Sequence, residues 1–150
     1  MITQKEIESF LSLFKKTPNS SLLHISKNCS DIESTIEKFT NTIDGKLTYK
    51  NFHTLNLERF RLTAREFEYA ILSDCLDEMR DKDKFIQEVY HSLENSANII
   101  LIENKNNNNN IATMVDLLDN NDFRATNAID IFEDYHLVIA KKMHMWGNGL

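Results

Sequence analysis

Two polar segments carry the residue types best suited to chemistry in this chain. One is His24-Ile25-Ser26-Lys27-Asn28-Cys29-Ser30, which continues the apolar run begun by Leu22 and Leu23. The other is Ser73-Asp74-Cys75, which follows Phe67–Leu72. An aspartate just past a strand accepts hydrogen bonds from a ligand, or acts as a general base once burial raises its pKa. Its structural alternative is to cap the turn that follows. Cys29 and Cys75 would follow neighbouring strands, where a thiol is either a reactive thiolate near a helix N-terminus or, more commonly, a buried packing residue. His24 sits within an apolar run and reads as a hydrogen-bonded core histidine. Met143-His144-Met145-Trp146 sets one imidazole between two thioethers, too weak a set for a metal site. That segment is assigned to edge packing or self-association, and no metal is expected.

Ligands of an open α/β sheet bind beyond the carboxyl ends of the strands, so the order of elements decides whether these segments meet. Thr3 with Glu6 forms a capping box for a helix within residues 1–17, with Ile7, Phe10, Leu11 and Phe14 on one face, ended by Pro18-Asn19-Ser20. Leu22–Ile25 reads as a buried strand. Ser30 with Glu33 offers a second capping box, and Ile32, Ile36 and Phe39 repeat at helical spacing. Asp44-Gly45 then turns the chain into a strand at Leu47–Phe52. The alternation of Phe39, Asn41 and Ile43 leaves a hairpin about Asp44-Gly45 as the other reading. A short helix is expected over Leu57–Arg65, a strand over Phe67–Leu72 and a helix over Lys82–Glu94. Ile99–Ile102 has the composition of a strand buried on both faces. Ile111, Met114, Val115 and Leu118 give a further helix, and two strands, Ala128–Phe132 and His136–Lys142, close the chain. Alternating strands and helices imply a mainly parallel sheet with right-handed crossovers. The last two strands are too close for a helical crossover and should pair antiparallel. One α/β domain over residues 1–150 is expected, with 143–150 as a C-terminal tail.

The formal net charge is −6, which argues against nucleic acid as a partner. The one basic cluster, Arg59, Arg61 and Arg65, reads as a solvated face. Asn106–Asn110 reads as a polar surface loop. No apolar run reaches the ~20 residues that span a bilayer. Met1–Glu6 lacks the order of a secretory signal, and two cysteines are too few for a disulfide framework. A reduced, cytoplasmic setting is therefore expected, with no membrane partner. Glycine is scarce: Gly45 stands alone in the body of the chain, with Gly147 and Gly149 at its end.

Phe67-Glu68-Tyr69-Ala70-Ile71-Leu72-Ser73-Asp74-Cys75-Leu76-Asp77-Glu78-Met79, followed by the helix and the Asn98–Glu103 strand, resembles a stretch of the class I S-adenosylmethionine-dependent methyltransferases. In that family a strand of the type F-D-x-V-x-x-x-x-x-L-x-x-L precedes a helix and an apolar strand. Asn121-Asp122-Phe123 sits where the family often has Gly-Phe, and His136–Lys142 is similar to its final strand. The likeness covers about residues 20–142. It implies a Rossmann-like, mainly parallel sheet of about six strands flanked by helices with an antiparallel C-terminal hairpin. The short run from Leu22 to Phe67 implies that one strand–helix unit is trimmed.

By the same resemblance the family's first motif, D/E-x-G-x-G-x-G, falls at residues 24–30. Its acid is replaced by His24 and its glycines by Ser26, Asn28 and Ser30. S-adenosylmethionine is the implied cofactor, with His24, Ser26, Asn28, Cys29, Ser30, Asp74 and Cys75 around it. The acid that holds the ribose has no clear match: Asp44 precedes its strand, and Asn51 is the polar residue at the strand's end. The resemblance implies methyl transfer to a small molecule or protein with weakened or lost cofactor binding. The alternative is a non-catalytic binding or scaffold module, with homo-oligomer formation open. A receiver-like phosphoacceptor, suggested by Asp74 after Tyr69–Ser73, comes third, because Ser26-Lys27-Asn28 lacks the paired acids that would hold Mg²⁺.

Overall fold

The computed structural model describes residues 2–143. Strands β1 (Ser21–Ser26), β2 (Lys46–Asn51), β3 (Phe67–Ser73), β4 (Leu93–Asn104), β5 (Arg124–Ala128) and β6 (Tyr135–Lys141) form one sheet in the order β2-β1-β3-β4-β6-β5. The first four in that order run parallel, and β6 is antiparallel to both β4 and β5. Helices α1 (Gln4–Leu11), α2 (Ser30–Thr42), α3 (Lys82–Ser92) and α4 (Ile111–Asp119) cover the two faces. The chain leaves β1 towards β2 on one side and returns to β3 on the other. The switch point therefore lies between the carboxyl ends of β1 and β3.

Period-2 alternation in the strands divides the core. Leu22, Tyr69, Ile71, Ile100, Ile102 and Leu137 face α1 and α2, where they meet Phe10, Ile32, Ile36 and Phe39. Leu23, Ile25, Ala70, Leu72, Ile99 and Leu101 face the other way, onto Phe85, Ile86 and Val89 of α3 and Met114 and Leu118 of α4.

The Thr3–Glu6 capping box forms as the sequence predicts. The turn at Asp44-Gly45 joins helix to strand, and β2 pairs parallel with β1, so the hairpin alternative does not occur. Asp44 takes the left-handed conformation there (φ 52°). Gly45 is needed for a different reason: a Cβ on it would stand 2.7 Å from the Ser20 carbonyl oxygen.

Four expectations need correction. Ser30 does not cap α2. The N-cap is Cys29, with no side-chain cap bond, and Glu33 instead accepts from Ser26 Oγ at 2.7 Å. Only Leu57–Arg59 of the expected helix over 57–65 coils, as a 3₁₀ turn, with the Asn56 side chain accepting from Glu58 N. Helix α3 stops at Ser92, and β4 begins at the next residue. Backbone N–H groups of Leu93, Arg65 and Glu66 meet the last carbonyls of the helix (Tyr90, His91 and Ser92), and Lys142 Nζ adds a second donor to Tyr90 (2.9 Å) and one to Leu93 (2.8 Å). The penultimate strand is Arg124–Ala128 rather than 128–132. The apolar run beyond it serves packing, with Phe132 buried against Phe10 at a ring separation of 5.5 Å.

The asparagine run is also more than a solvated loop. Asn110 caps α4, Asn107 donates to Asp74 and Glu103, and Asn109 is buried and donates to Glu103. Arg59, Arg61 and Arg65 are exposed as expected. No helix among the described residues is long and apolar enough to cross a membrane.

Candidate functional site

The parallel register brings the two polar segments together, because Ser26 pairs with Ser73 at the ends of β1 and β3. His24, one pleat back on the same face, is 1% exposed, and its Nε2 lies 2.7 Å from Ser73 Oγ. That is the distance of a nucleophile–base pair, yet the chemistry of such a pair is missing. Ser73 is fully buried, and His24 Nδ1 has no hydrogen-bond partner among the described residues, so no acid holds the ring in a triad; its neighbour is the Tyr49 ring, edge-on at 5.8 Å. Burial pushes the His24 pKa down to about 3, and the ring stays neutral. It is the core histidine that its sequence position suggests.

Beyond Ser26 the chain turns through Asn28 in the left-handed region (φ 58°). Asn28 is exposed, its amide 3.4 Å from His53 Nε2; Ser30 is exposed at the start of α2. Lys27 N donates to the Ser73 carbonyl at 3.0 Å, and Lys27 Nζ forms an ion pair with Glu78 from the segment after β3. Cys75 Sγ donates back to the Ile25 carbonyl at 3.2 Å. The backbone bond ends the parallel β1–β3 ladder, and the thiol and the ion pair add contacts between the two chain segments at the switch point.

Neither cysteine is a reactive thiolate. Burial pushes the Cys29 thiol up to about 12, reinforced by the negative charge of Asp74, and raises Cys75 well above the usual thiol range. Cys29 is contacted by the Tyr135 hydroxyl. Asp74 takes a left-handed conformation (φ 58°), and its Oδ1 accepts from Asn104 N at 3.1 Å and Asn107 Nδ2 at 3.0 Å. It therefore tethers the loop after β4, rather than capping the turn that follows it.

The residue that sequence reasoning passed over is Glu103, near the carboxyl end of β4 and fully buried. It accepts from Leu76 N, Asn107 Nδ2 and Asn109 Nδ2 at 3.3, 3.0 and 3.4 Å. Burial raises its pKa to about 7, with the Asp74 charge adding to the rise and the hydrogen bonds from Leu76 and Asn107 opposing it. The available signal was an acid placed directly after a fully apolar strand. Asn51, at the end of β2, uses its side chain to cap the 3₁₀ turn Phe52–Thr54. Among the described residues no cluster of three His, Cys, Asp or Glu is placed to hold a metal ion. His144, Met145 and Trp146 lie outside the described residues.

No protein-family model matches the sequence, and no curated protein matches it. Solved structures do match. Phosphoethanolamine N-methyltransferase 2 of Haemonchus contortus, in complex with S-adenosyl-L-methionine, aligns with a TM-score of 0.70 at 8% identity, over 93% of this chain and 52% of that one. An Aquifex aeolicus S-adenosylmethionine-dependent methyltransferase gives 0.69 at 10% identity, over 91% and 89%. One from Mesorhizobium loti gives 0.63 at 10% identity, over 89% and 96%. The chain spans about half the length of the Haemonchus enzyme and most of the other two. The sheet order, the antiparallel β6 and these alignments agree: the chain has a class I S-adenosylmethionine-dependent methyltransferase-like fold.

Proposed function

We propose that this chain is a non-catalytic binding or scaffold module built on the methyltransferase fold, in which the cofactor crevice has been closed by the protein's own contacts. The observation that carries this reading is the Lys27–Glu78 ion pair, which joins the β1 loop to the β3 loop, with Cys75 Sγ donating to the Ile25 carbonyl beside it. The residues present do not fit S-adenosylmethionine in the family's mode. Ser26 and Ser30 carry Cβ atoms where a glycine backbone would approach the ligand. His24 is a buried neutral ring in place of an acid, and the Asn51 carboxamide is already used as a cap. The acidic charge of the chain favours a small-molecule or protein partner.

A second reading, S-adenosylmethionine-dependent methyl transfer, is supported by the cofactor bound in the Haemonchus structure. Thermal unfolding and calorimetric titration with S-adenosylmethionine and S-adenosylhomocysteine separate the two. A ligand at about 100 times its Kd stabilises by about 2.7 kcal/mol, or several degrees in Tm. The closed crevice predicts no shift and no heat at millimolar concentrations of either compound. A saturable shift with either one restores the enzyme reading.

A further inference from the structure

A cavity of about 200 Å³ lies away from the β1–β3 crevice, between the irregular segment that precedes β3 and the first turns of α3. Its inner wall is apolar. Phe60 and Phe85, both buried, stack with centroids 4.6 Å apart and planes within 6°, and Met79 lies beside them. Its rim carries three exposed cations, Arg61, Arg80 and Lys84. They offset the acids that share the rim, so the mouth is neutral in a chain of net charge −6.

Three acids share the rim, and two of them are engaged. Asp81 Oδ1 accepts from Lys84 N at 3.0 Å as the N-cap of α3, and Glu88 Oε2 accepts from Leu62 N at 2.7 Å. Glu58 is the third. Arg61 spends one donor on the Phe60 carbonyl. The side chains of Arg80 and Lys84, both exposed and lining the cavity, make neither a hydrogen bond nor an ion pair among the described residues. An apolar aromatic wall below unpaired cations matches one ligand chemistry: a flat hydrophobic body with an anionic end. The volume is below the roughly 300–1,000 Å³ of a drug-sized site, which limits the body to one or two fused rings.

We propose that this cavity is a binding site for a small aromatic carboxylate, whose ring lies against Phe60, Phe85 and Met79 and whose carboxylate is held by Arg80 and Lys84. The site is separate from the switch point, so the inference stands whether or not the crevice takes S-adenosylmethionine. The test uses 2-naphthoate, with 2-naphthamide as its uncharged counterpart, in calorimetric titration and saturation-transfer NMR at about 50 mM salt. The expected result is a Kd for the carboxylate of about 1 mM or tighter, with the amide at least about tenfold weaker. The double variant R80Q/K84Q should lose at least about tenfold in naphthoate affinity at an unchanged melting temperature, because both residues are exposed. Equal binding of carboxylate and amide, full affinity in the double variant, or no naphthoate signal at about 5 mM would each overturn the proposal.

Discussion

Replacing Glu103 with Gln should change the slope of stability against pH more than stability itself. Glu103 is fully buried, and its pKa is raised from 4.5 to about 7, first by burial and then by the charge of Asp74. Between those values the unfolded chain has released the proton while the folded chain still holds it. Stability contributed by this group is therefore complete below pH 4.5 and is lost as pH rises through about 7. At about 1.4 kcal/mol per pH unit, the whole loss is about 3 kcal/mol. Glutamine keeps an oxygen for the Leu76 amide or for Asn107 and Asn109, and it does not titrate.

His24 imposes an opposite slope. Its folded pKa is depressed from 6.5 to about 3 by burial, so its contribution is present above 6.5 and is lost as pH falls towards 3. This slope is common to the parent and E103Q, and the difference between the two proteins isolates Glu103. Urea unfolding of both at pH 4.5, 5.5, 6.5 and 8 is the assay. The difference, E103Q minus parent, should rise by about 3 kcal/mol across that range, mostly between pH 5 and 7.5. Parallel curves would refute the reasoning, and would mean that the three hydrogen bonds to Glu103 already offset its burial.

Three further perturbations test the packing around the site. Gly45→Ala should cost about 1–3 kcal/mol, read as a lower urea midpoint, because its Cβ would meet the Ser20 carbonyl at 2.7 Å. The neighbouring Asp44→Gly should be neutral or gain up to about 1 kcal/mol, since Asp44 holds the left-handed position. Lys142→Met should cost about 1–2 kcal/mol in the same measurement by removing the ammonium donor from the Leu93 carbonyl and the second donor from that of Tyr90, and a loss under about 0.5 kcal/mol would sink that account. Native Cys29 and Cys75 should resist iodoacetamide at pH 8 and react only on unfolding, because burial holds both thiols protonated. Rapid native alkylation counted by mass spectrometry would contradict it.

The parts of the fold legible in the sequence are those whose signal is local. Leu22–Ile25, Phe67–Leu72 and Ile99–Ile102 are short, apolar and bounded by polar residues, and each lies within a strand of the sheet. The close spacing of the last two strands gave their antiparallel pairing. What stayed hidden depends on partners far along the chain. The α3–β4 junction looks like a continuous helix until distant donors meet its end: Arg65 and Glu66 N–H groups at His91 and Ser92, and Lys142, 49 residues beyond Leu93, at the Leu93 carbonyl. Asn107 and Asn109 look like low-complexity filler until Glu103 folds beneath them. Ala128–Phe132 is apolar enough to be a strand, but its bulk is used against α1. At the site, the meeting of Ser26 with Ser73 follows from strand order, whereas the Lys27–Glu78 pair and the Cys75–Ile25 bond could not be read from it.

The scarcity of glycine looks at first like the mark of a lost cofactor loop, but the backbone gives it a wider meaning. Asn19, Asn28, Asp44, Arg65, Asp74, Ser96, Asp122 and Ala125 all adopt positive φ, between 50° and 71°. Five of these eight are Asn or Asp, the side chains that best tolerate the left-handed region. Gly45 is kept for clearance from the Ser20 carbonyl and not for a positive φ. The described part of the chain thus makes its left-handed turns without glycine, including turns with no connection to a ligand. Asn28 in the β1 loop is one more instance of that habit and says little by itself about function. The proposed loss of cofactor binding rests instead on contacts at the crevice mouth: the Lys27–Glu78 ion pair between the β1 and β3 loops, and Cys75 donating to the Ile25 carbonyl. Restoring glycines at positions 26, 28 and 30 alone should therefore leave S-adenosylhomocysteine unbound in titration. Binding by that triple variant would show that the Cβ atoms, and not the contacts across the crevice, were the obstacle.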